Sequence, residues 1–431
     1  MRIPDRSNLS RSVRLLFAAA LMMSRGLGQG TAQEESNWPC FRGPTAMGIA
    51  ADTGLPSEWN DDSVAWKTEL PGSGASSPIT FGDHIYLTAY SGFFIPGEPE
   101  GRPEQLTRHL IACDRQTGKI IWNKTISAKL PEEERIRDHG FAANTPAADA
   151  DGVCVFFGKT GVLAFSHSGE ELWRADVGEG THGWGTAASP LLYEDLVIIN
   201  ASVESESLIA LDRKTGRERW RAANIRESWN TPVIVTAASG RRELVVARHG
   251  DVLAFDPSDG TPLWSCQTDI SWYMVPSGVA GDGTVFYLGG RSGTAALAIR
   301  TGGSGDVTAT HRLWTSRNGS NVTSPIYRNG YLFWMSHDGG IAYCAKGETG
   351  ELVYEQRVSR MGQVYASPVL ADDRIYYFDR RGRSVVLAAK PEFEQLAANE
   401  LSDRSSFDAS PAVDRGRLLV RSGKFLYCIS R

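Results

Sequence analysis

The sequence predicts an all-β fold, an eight-bladed β-propeller whose last blade is closed by a strand from the N-terminal end. Three observations carry this: a recurring dipeptide, an aromatic residue phased with it, and two ragged ends that complete each other. Ser/Thr-Pro stands at Ser77-Pro78, Thr145-Pro146, Ser189-Pro190, Thr231-Pro232, Ser324-Pro325, Ser367-Pro368 and Ser410-Pro411, with a degenerate copy at Val275-Pro276. Successive copies lie 68, 44, 42, 44, 49, 43 and 43 residues apart. Trp66, Trp122, Trp173, Trp220, Trp264 and Trp314 keep the same phase, with Tyr354 as a seventh member. Such a period, rich in Gly, Val, Leu and aromatics, denotes units that bury their faces only when stacked around a ring.

The unit beginning at Ser189 justifies each element in turn. Residues 191–193 are apolar, Glu194-Asp195 make an acidic turn, and 196–200 form a second apolar run. A polar loop leads to 208–212, Lys214-Thr215-Gly216 turn the chain, and a strand carrying Trp220 follows. Short apolar runs separated by turn residues read as four strands. In ALDRKTGRERW (210–220) the Asp and Thr can hydrogen-bond the turn backbone, and Gly216 supplies a φ that other residues resist. The Trp falls on the outer strand, where its face can pack between blades. ACDRQTGKIIW (112–122), AFDPSDGTPLW (254–264) and the shorter AFSHSGEELW (164–173) repeat the design, and CAKGETGELVY (344–354) ends in Tyr. Blade 5 stretches the turn through 302–310, and blade 7 loses the pattern at 390–394.

The pattern A-x-D-x-x-T-G-x-x-x-W resembles the repeat of the PQQ-like β-propellers. That family includes quinoprotein alcohol dehydrogenases and the propeller lipoprotein of the outer-membrane β-barrel assembly machinery. The opening WPCFRGPTAMG (38–48) resembles the WPxFRGPxxxG start of secreted planctomycete-type members. The resemblance covers about residues 38–431. It implies a fold rather than an activity, because the motif residues are structural.

The ends set the blade count. After Ser410-Pro411 there is room for three strands, at 412–413, 418–421 and 425–429. Residues 64–70 form a Trp-bearing strand with no preceding partner. Joining them makes an eighth blade and removes the open edges of an incomplete ring. The expected organisation is a signal peptide over 1–32, an extension over 33–62 and the propeller over 63–431. Arg2, Arg6, Arg11 and Arg14, the apolar stretch 15–23 and the small residues Gly30-Thr31-Ala32 carry the signal-peptide reading. That places the protein in the periplasm or outside the cell. No apolar run reaches the ~18 residues of a membrane-spanning helix.

The first 32 residues hold five Arg and one Asp, so the remainder carries 40 basic and 49 acidic residues, a net of −9. An acidic chain without basic clusters argues against nucleic acid as a partner. The six cysteines are dispersed, and Cys113 and Cys344 occupy positions held by Leu, Phe or Ala in other blades. They read as small buried hydrophobes, although an even count in a secreted chain also permits disulfides.

Dehydrogenases of the resembled family hold a quinone between a Trp floor and a disulfide of adjacent cysteines, beside a calcium bound by Glu, Asn and Asp. This chain has no Cys-Cys pair, and no calcium set falls on a matching motif. The eight His lack metal-ligand spacing, and no G-x-S-x-G or phosphate loop is present. No catalytic, cofactor-binding or metal-binding residue is therefore assigned.

The segments before each anchor carry residues that the repeat does not explain. Blade-to-blade links of a propeller return to one face, so His139, Asn144, His182, Trp184, Trp229, Asn230, Trp272, Arg317, Asn321, Arg360, Gln363 and Arg404 are expected to ring one channel mouth. Aromatics beside amides and Arg suit a ligand or peptide surface. The other reading of these residues is a plug with strand caps. Two insertions in blade 1, 91–108 and 127–144, are expected on the same face. The function expected is a noncatalytic binding or scaffold module of the cell envelope, with an envelope protein or peptide as partner. The alternatives are a PQQ- and calcium-dependent dehydrogenase and a propeller that binds a glycan or small molecule.

Overall fold

The computed structural model describes residues 37–431 apart from 137, 138, 271 and 292. Consecutive strands pair into eight sheets. Blades 1 to 7 span 79–127, 147–175, 191–223, 233–267, 279–316, 326–357 and 369–400. Blade 8 takes three strands from 412–429 and its outer strand from the opposite end of the chain. Val64–Glu69 pairs antiparallel with Phe425–Ile429, with Trp66 opposite Cys428. The closure expected from the two ragged ends is in place, while the proposed signal segment lies outside the described residues.

Burial follows position in the blade. In blade 3 the second strand, Leu196–Ala201, is buried throughout, and the third, Ser207–Asp212, almost so. Both lie between neighbouring blades, so both faces are apolar. The outer strand Glu218–Ala223 alternates exposed and buried, with Trp220 and Ala222 inward. All six cysteines are free thiols, five of them buried.

The outer-strand Trp docks on the next blade's turn. A Cβ on Gly118, Gly216, Gly260 or Gly350 would meet the ring of Trp66, Trp173, Trp220 or Trp314 at 2.3 to 2.6 Å. Indole N–H groups donate to the same turns: Trp173 to Arg213 O at 2.8 Å, Trp220 to Pro257 O at 3.2 Å and Trp314 to Gly347 O at 2.8 Å. The two departures from the repeat have physical reasons. Blade 5's stretched turn places Gly305–Asp306 parallel to blade 4's outer strand, and Trp264 donates instead to the buried Glu243 at 2.8 Å. In blade 7 the lost turn presents Phe393 edge-on to Tyr354, with ring centroids 5.5 Å apart. A smaller ring on one blade is met by a side chain on the next.

The Ser/Thr anchors form a belt around the channel. Ser77 N donates to Thr145 Oγ1, Thr145 N to Ser189 Oγ and Ser189 N to Thr231 Oγ1. Thr231 N donates to Ser277 Oγ, Ser277 N to Ser324 Oγ, Ser324 N to Ser367 Oγ and Ser367 N to Ser410 Oγ. This corrects the register of blade 5. The equivalent of the other anchors is Ser277, not Val275, because the hydroxyl makes the bond and Pro276 only precedes it. Each bond links two blades through a buried amide. Ser189→Ala is expected to cost about 1–3 kcal/mol, the penalty of stranding the Thr145 N–H; an unchanged denaturation midpoint would refute this role for the belt.

The segment from Trp38 onward crosses the face opposite the blade-to-blade links. Thr80 N donates to Trp38 O and Ala148 N to Pro39 O, on blades 1 and 2. Arg42, buried, reaches across to Pro325 O of blade 6 at 2.5 Å. Leu370 N donates to Gly48 O and Ala50 N to Leu370 O, on blade 7, and Gly416 N to Asp52, on blade 8. The ring of Trp38 lies against Gly43, which leaves no room for a Cβ there. The W-P-C-F-R-G-P motif is thus a strap across one end of the channel.

Candidate functional site: the channel and its open mouth

In extended chain, alternate residues face the same way. Each anchor hydroxyl therefore shares the channel wall with the residue two before it: Ala75, Ala143, Ala187, Trp229, Val275, Val322, Tyr365 and Asp408. Phe41, from the strap, lines the cavity at its lower end. His139, Trp184 and Tyr273 line it towards the other end, where the links converge. The result is a blind cavity of about 120 Å³.

The mouth has an aromatic wall on the links around blades 3 to 5. Trp184 and Tyr273 meet edge to face with centroids 5.5 Å apart, and Tyr273 lies 5.6 Å from Trp229 and 5.4 Å from Trp272. His182 meets Trp229 edge-on at 5.2 Å. Trp229 donates its indole N–H to Gly185 O at 2.9 Å, and Trp272 donates to Glu227 at 2.8 Å. The Arg291 guanidinium lies 4.2 Å from the centre of the Trp184 ring. The opposing wall holds Arg380, which bonds Asp408 at 2.6 Å and covers the Tyr365 ring at 4.3 Å.

The twelve candidate residues fall into three groups. Arg317, Arg360, Gln363 and Arg404 are exposed on the links between blades 5 and 8. His139, His182, Trp184 and Trp272 are half-buried, with a His139 ring nitrogen 2.8 Å from Trp184 O. Asn144, Trp229, Asn230 and Asn321 are buried. The Asn230 amide faces Ala247 O and Met274 O, and the Asn144 amide donates to Ala188 O at 2.6 Å. These four build the wall on which the other eight stand. Sequence reading missed Arg291 and Arg380, which lie on turns inside blades rather than on the links. It also missed Asp408, which the two-residue alternation from Ser410 would have found.

The two blade 1 insertions share a small core of their own: Phe93 and Leu106 from the first pack with Ile136 and Phe141 from the second. Arg108 pairs with Glu132 at 2.5 Å beneath them. Next to this pair Glu204 is buried, and burial pushes its carboxyl up to about 8. A carboxyl raised in the folded state stabilises the fold fully below its ordinary value near 4.5, and that stability is lost as pH rises towards 8. Glu204→Gln is expected to flatten the pH dependence of stability across this window, read from melting temperatures at pH 4.5 to 8. A slope equal to the parent's would refute it.

Comparison with known proteins follows the fold. The family model described as outer membrane protein assembly factor BamB matches residues 103–233 and 162–337. A polyvinylalcohol dehydrogenase from Pseudomonas sp. is 24% identical in sequence; the match covers 56% of this chain and 54% of that protein, so the chain spans about half the length of this curated relative. BamB from Moraxella catarrhalis superposes with a TM-score of 0.59 at 15% identity, over 85% of this chain and 97% of that one. The quinohemoprotein alcohol dehydrogenase of Comamonas testosteroni gives 0.64 at 12% identity, over 93% and 81%. At these identities the structural likeness is one of fold.

Proposed function

Since this chain belongs to the PQQ-repeat β-propeller family that the BamB model describes, we propose that it is a noncatalytic binding or scaffold module of the cell envelope, docking a protein or peptide at the open channel mouth. The observation that carries this reading is the blind channel. Its volume of about 120 Å³ suits one anchoring side chain, whereas pockets for cofactors and drug-sized ligands run from roughly 300 to 1,000 Å³. Side chains buried in such sockets dominate protein interfaces. The aromatic wall offers rigid apolar area, and the exposed Arg residues offer directional hydrogen bonds. Export to the periplasm or beyond belongs to the same reading and rests on residues 1–32.

The dehydrogenase reading draws on the polyvinylalcohol dehydrogenase relative. The residues of the channel do not fit a quinone with calcium. No two cysteines adjoin. The wall's one carboxylate, Asp408, is engaged by Arg380. Among the described residues no group of three His, Cys, Asp or Glu side chains could hold a metal.

The test is capture of envelope proteins by the immobilised protein and by variants. Trp184→Ala and Trp272→Ala are expected to weaken capture about tenfold or more while lowering the melting temperature less than Trp220→Ala, whose ring is buried between blades. Trp229→Ala is a poorer probe, since its ring is buried in the wall. Tight calcium-dependent PQQ binding by calorimetry, with dye-linked alcohol oxidation, would overturn the proposal.

A further inference from the structure

The mouth is electrically lopsided. Arg291 and Arg381 are exposed on turns inside blades 5 and 7, and Arg317, Arg360 and Arg404 on the links that follow blades 5, 6 and 7. Among the described residues none of the five forms an ion pair. They lie along one continuous arc. Val364 N on one link donates to His337 O of blade 6, Arg380 N of blade 7 donates to Gln363 O, and Phe407 N on the next link donates to Arg380 O.

The carboxylates near the arc are occupied, with one exception. Asp408 bonds Arg380, Asp403 accepts from Ser405, Ser422 and Tyr427, and Asp379 accepts from the amides of Gly362, Arg381 and Arg383. Asp61 accepts from Ser402 N, and Asp338 is exposed with no ion pair among the described residues. Across the mouth, the blade 1 insertions carry exposed Glu98, Glu100, Glu104 and Glu134 against exposed Arg102 and Arg135, the latter over the Phe94 ring. A chain of formal charge −5 thus gathers free guanidinium groups on half of one rim and an excess of acid on the other half.

Resting on the reading of this face as a docking site, we propose that the arc takes an acidic, extended peptide segment of a partner protein. Its carboxylates pair with Arg317, Arg360, Arg381 and Arg404, and a neighbouring apolar side chain enters the channel beside Trp184. Charge complementarity fixes the choice. A basic segment would meet five unpaired cations, while an acidic one relieves their mutual repulsion and is turned from the Glu-bearing insertions towards the arc. Arg forks suit carboxylates in two-pronged geometry.

The probe is a fluorescein-labelled synthetic peptide alternating Glu and Ala around one central Leu, read by anisotropy against the full protein. A Lys-for-Glu peptide and polygalacturonate serve as comparators. The Glu peptide is expected to bind at least tenfold tighter than the Lys peptide, and to weaken between about 0.05 M and about 0.5 M salt. R317E/R360E/R404E should lose that binding roughly tenfold or more with an unchanged melting temperature; three separate single Glu variants serve if the triple variant unfolds. Equal binding of the Glu and Lys peptides would overturn the proposal, as would equal binding and equal loss of polygalacturonate, which would make the arc a general anion surface. If Trp184→Ala abolishes peptide binding and the Arg variants do not, the docking face stands and the acidic partner falls.

Discussion

Removal of residues 37–70 is expected to abolish cooperative folding of the ring. The effect exceeds that of any point substitution because one segment carries three connections. It supplies the outer strand of blade 8, paired along Val64–Glu69. It lays the Trp66 ring on Gly118 of blade 1. It contributes Trp38, Leu55, Trp59 and Leu70 to the core cluster shared by blades 1, 7 and 8. Without it, Phe425–Ile429 becomes an open edge, a template for pairing between molecules. The expected result is loss of the sharp thermal transition together with aggregates on size exclusion. A truncated chain that melts at the parent's temperature would show that seven blades and a remnant close without it. The single change Trp66→Ala tests one connection in isolation, with an expected cost of up to ~3 kcal/mol for a half-buried ring.

The fold was legible because the repeat writes its contacts into sequence. A Trp on one blade needs a Gly on the next, so both recur together. Where one changes the other follows, as Tyr354 and Phe393 show. The register of blade 5 was not legible from the dipeptide, because Pro276 drew the alignment to Val275 while the belt uses the hydroxyl of Ser277. The strap was visible as a motif but its destination was not: Arg42 meets Pro325 across 283 residues of sequence, and no periodicity encodes so long a contact. At the mouth the link residues were placed on one face by topology alone. Which of them are exposed depends on packing between blades, and so Asn144 and Asn230 proved buried while Arg317 and Arg404 stand in solvent. Arg291 could not be found from its neighbours in sequence, since the rings beneath it come from two other links.

A double-mutant cycle on Trp173 and Gly216 should show the interblade contact directly. Gly216 has φ +69°, and its missing Cβ would sit 2.5 Å from Trp173 Cε3. Gly216→Ala therefore adds a left-handed-backbone cost of about 1–2 kcal/mol to an overpacking cost of about 1–3 kcal/mol. Trp173→Ala removes a buried indole and its bond to Arg213 O, for about 3–5 kcal/mol. In the Trp173→Ala background the new methyl has space, so Gly216→Ala should then cost the backbone term alone. The coupling between the sites is expected at about 1–3 kcal/mol. Gly240→Ala is the control: its φ is +85° and nothing lies within 4 Å of the added Cβ, so it should show the backbone cost and no more. Denaturant midpoints of the four proteins and the control decide the matter. Costs that add within ~0.5 kcal/mol would mean that Trp173 and Gly216 do not read each other. Glycine would then recur in these turns for its backbone alone, and the tryptophan that keeps time with it would need another cause.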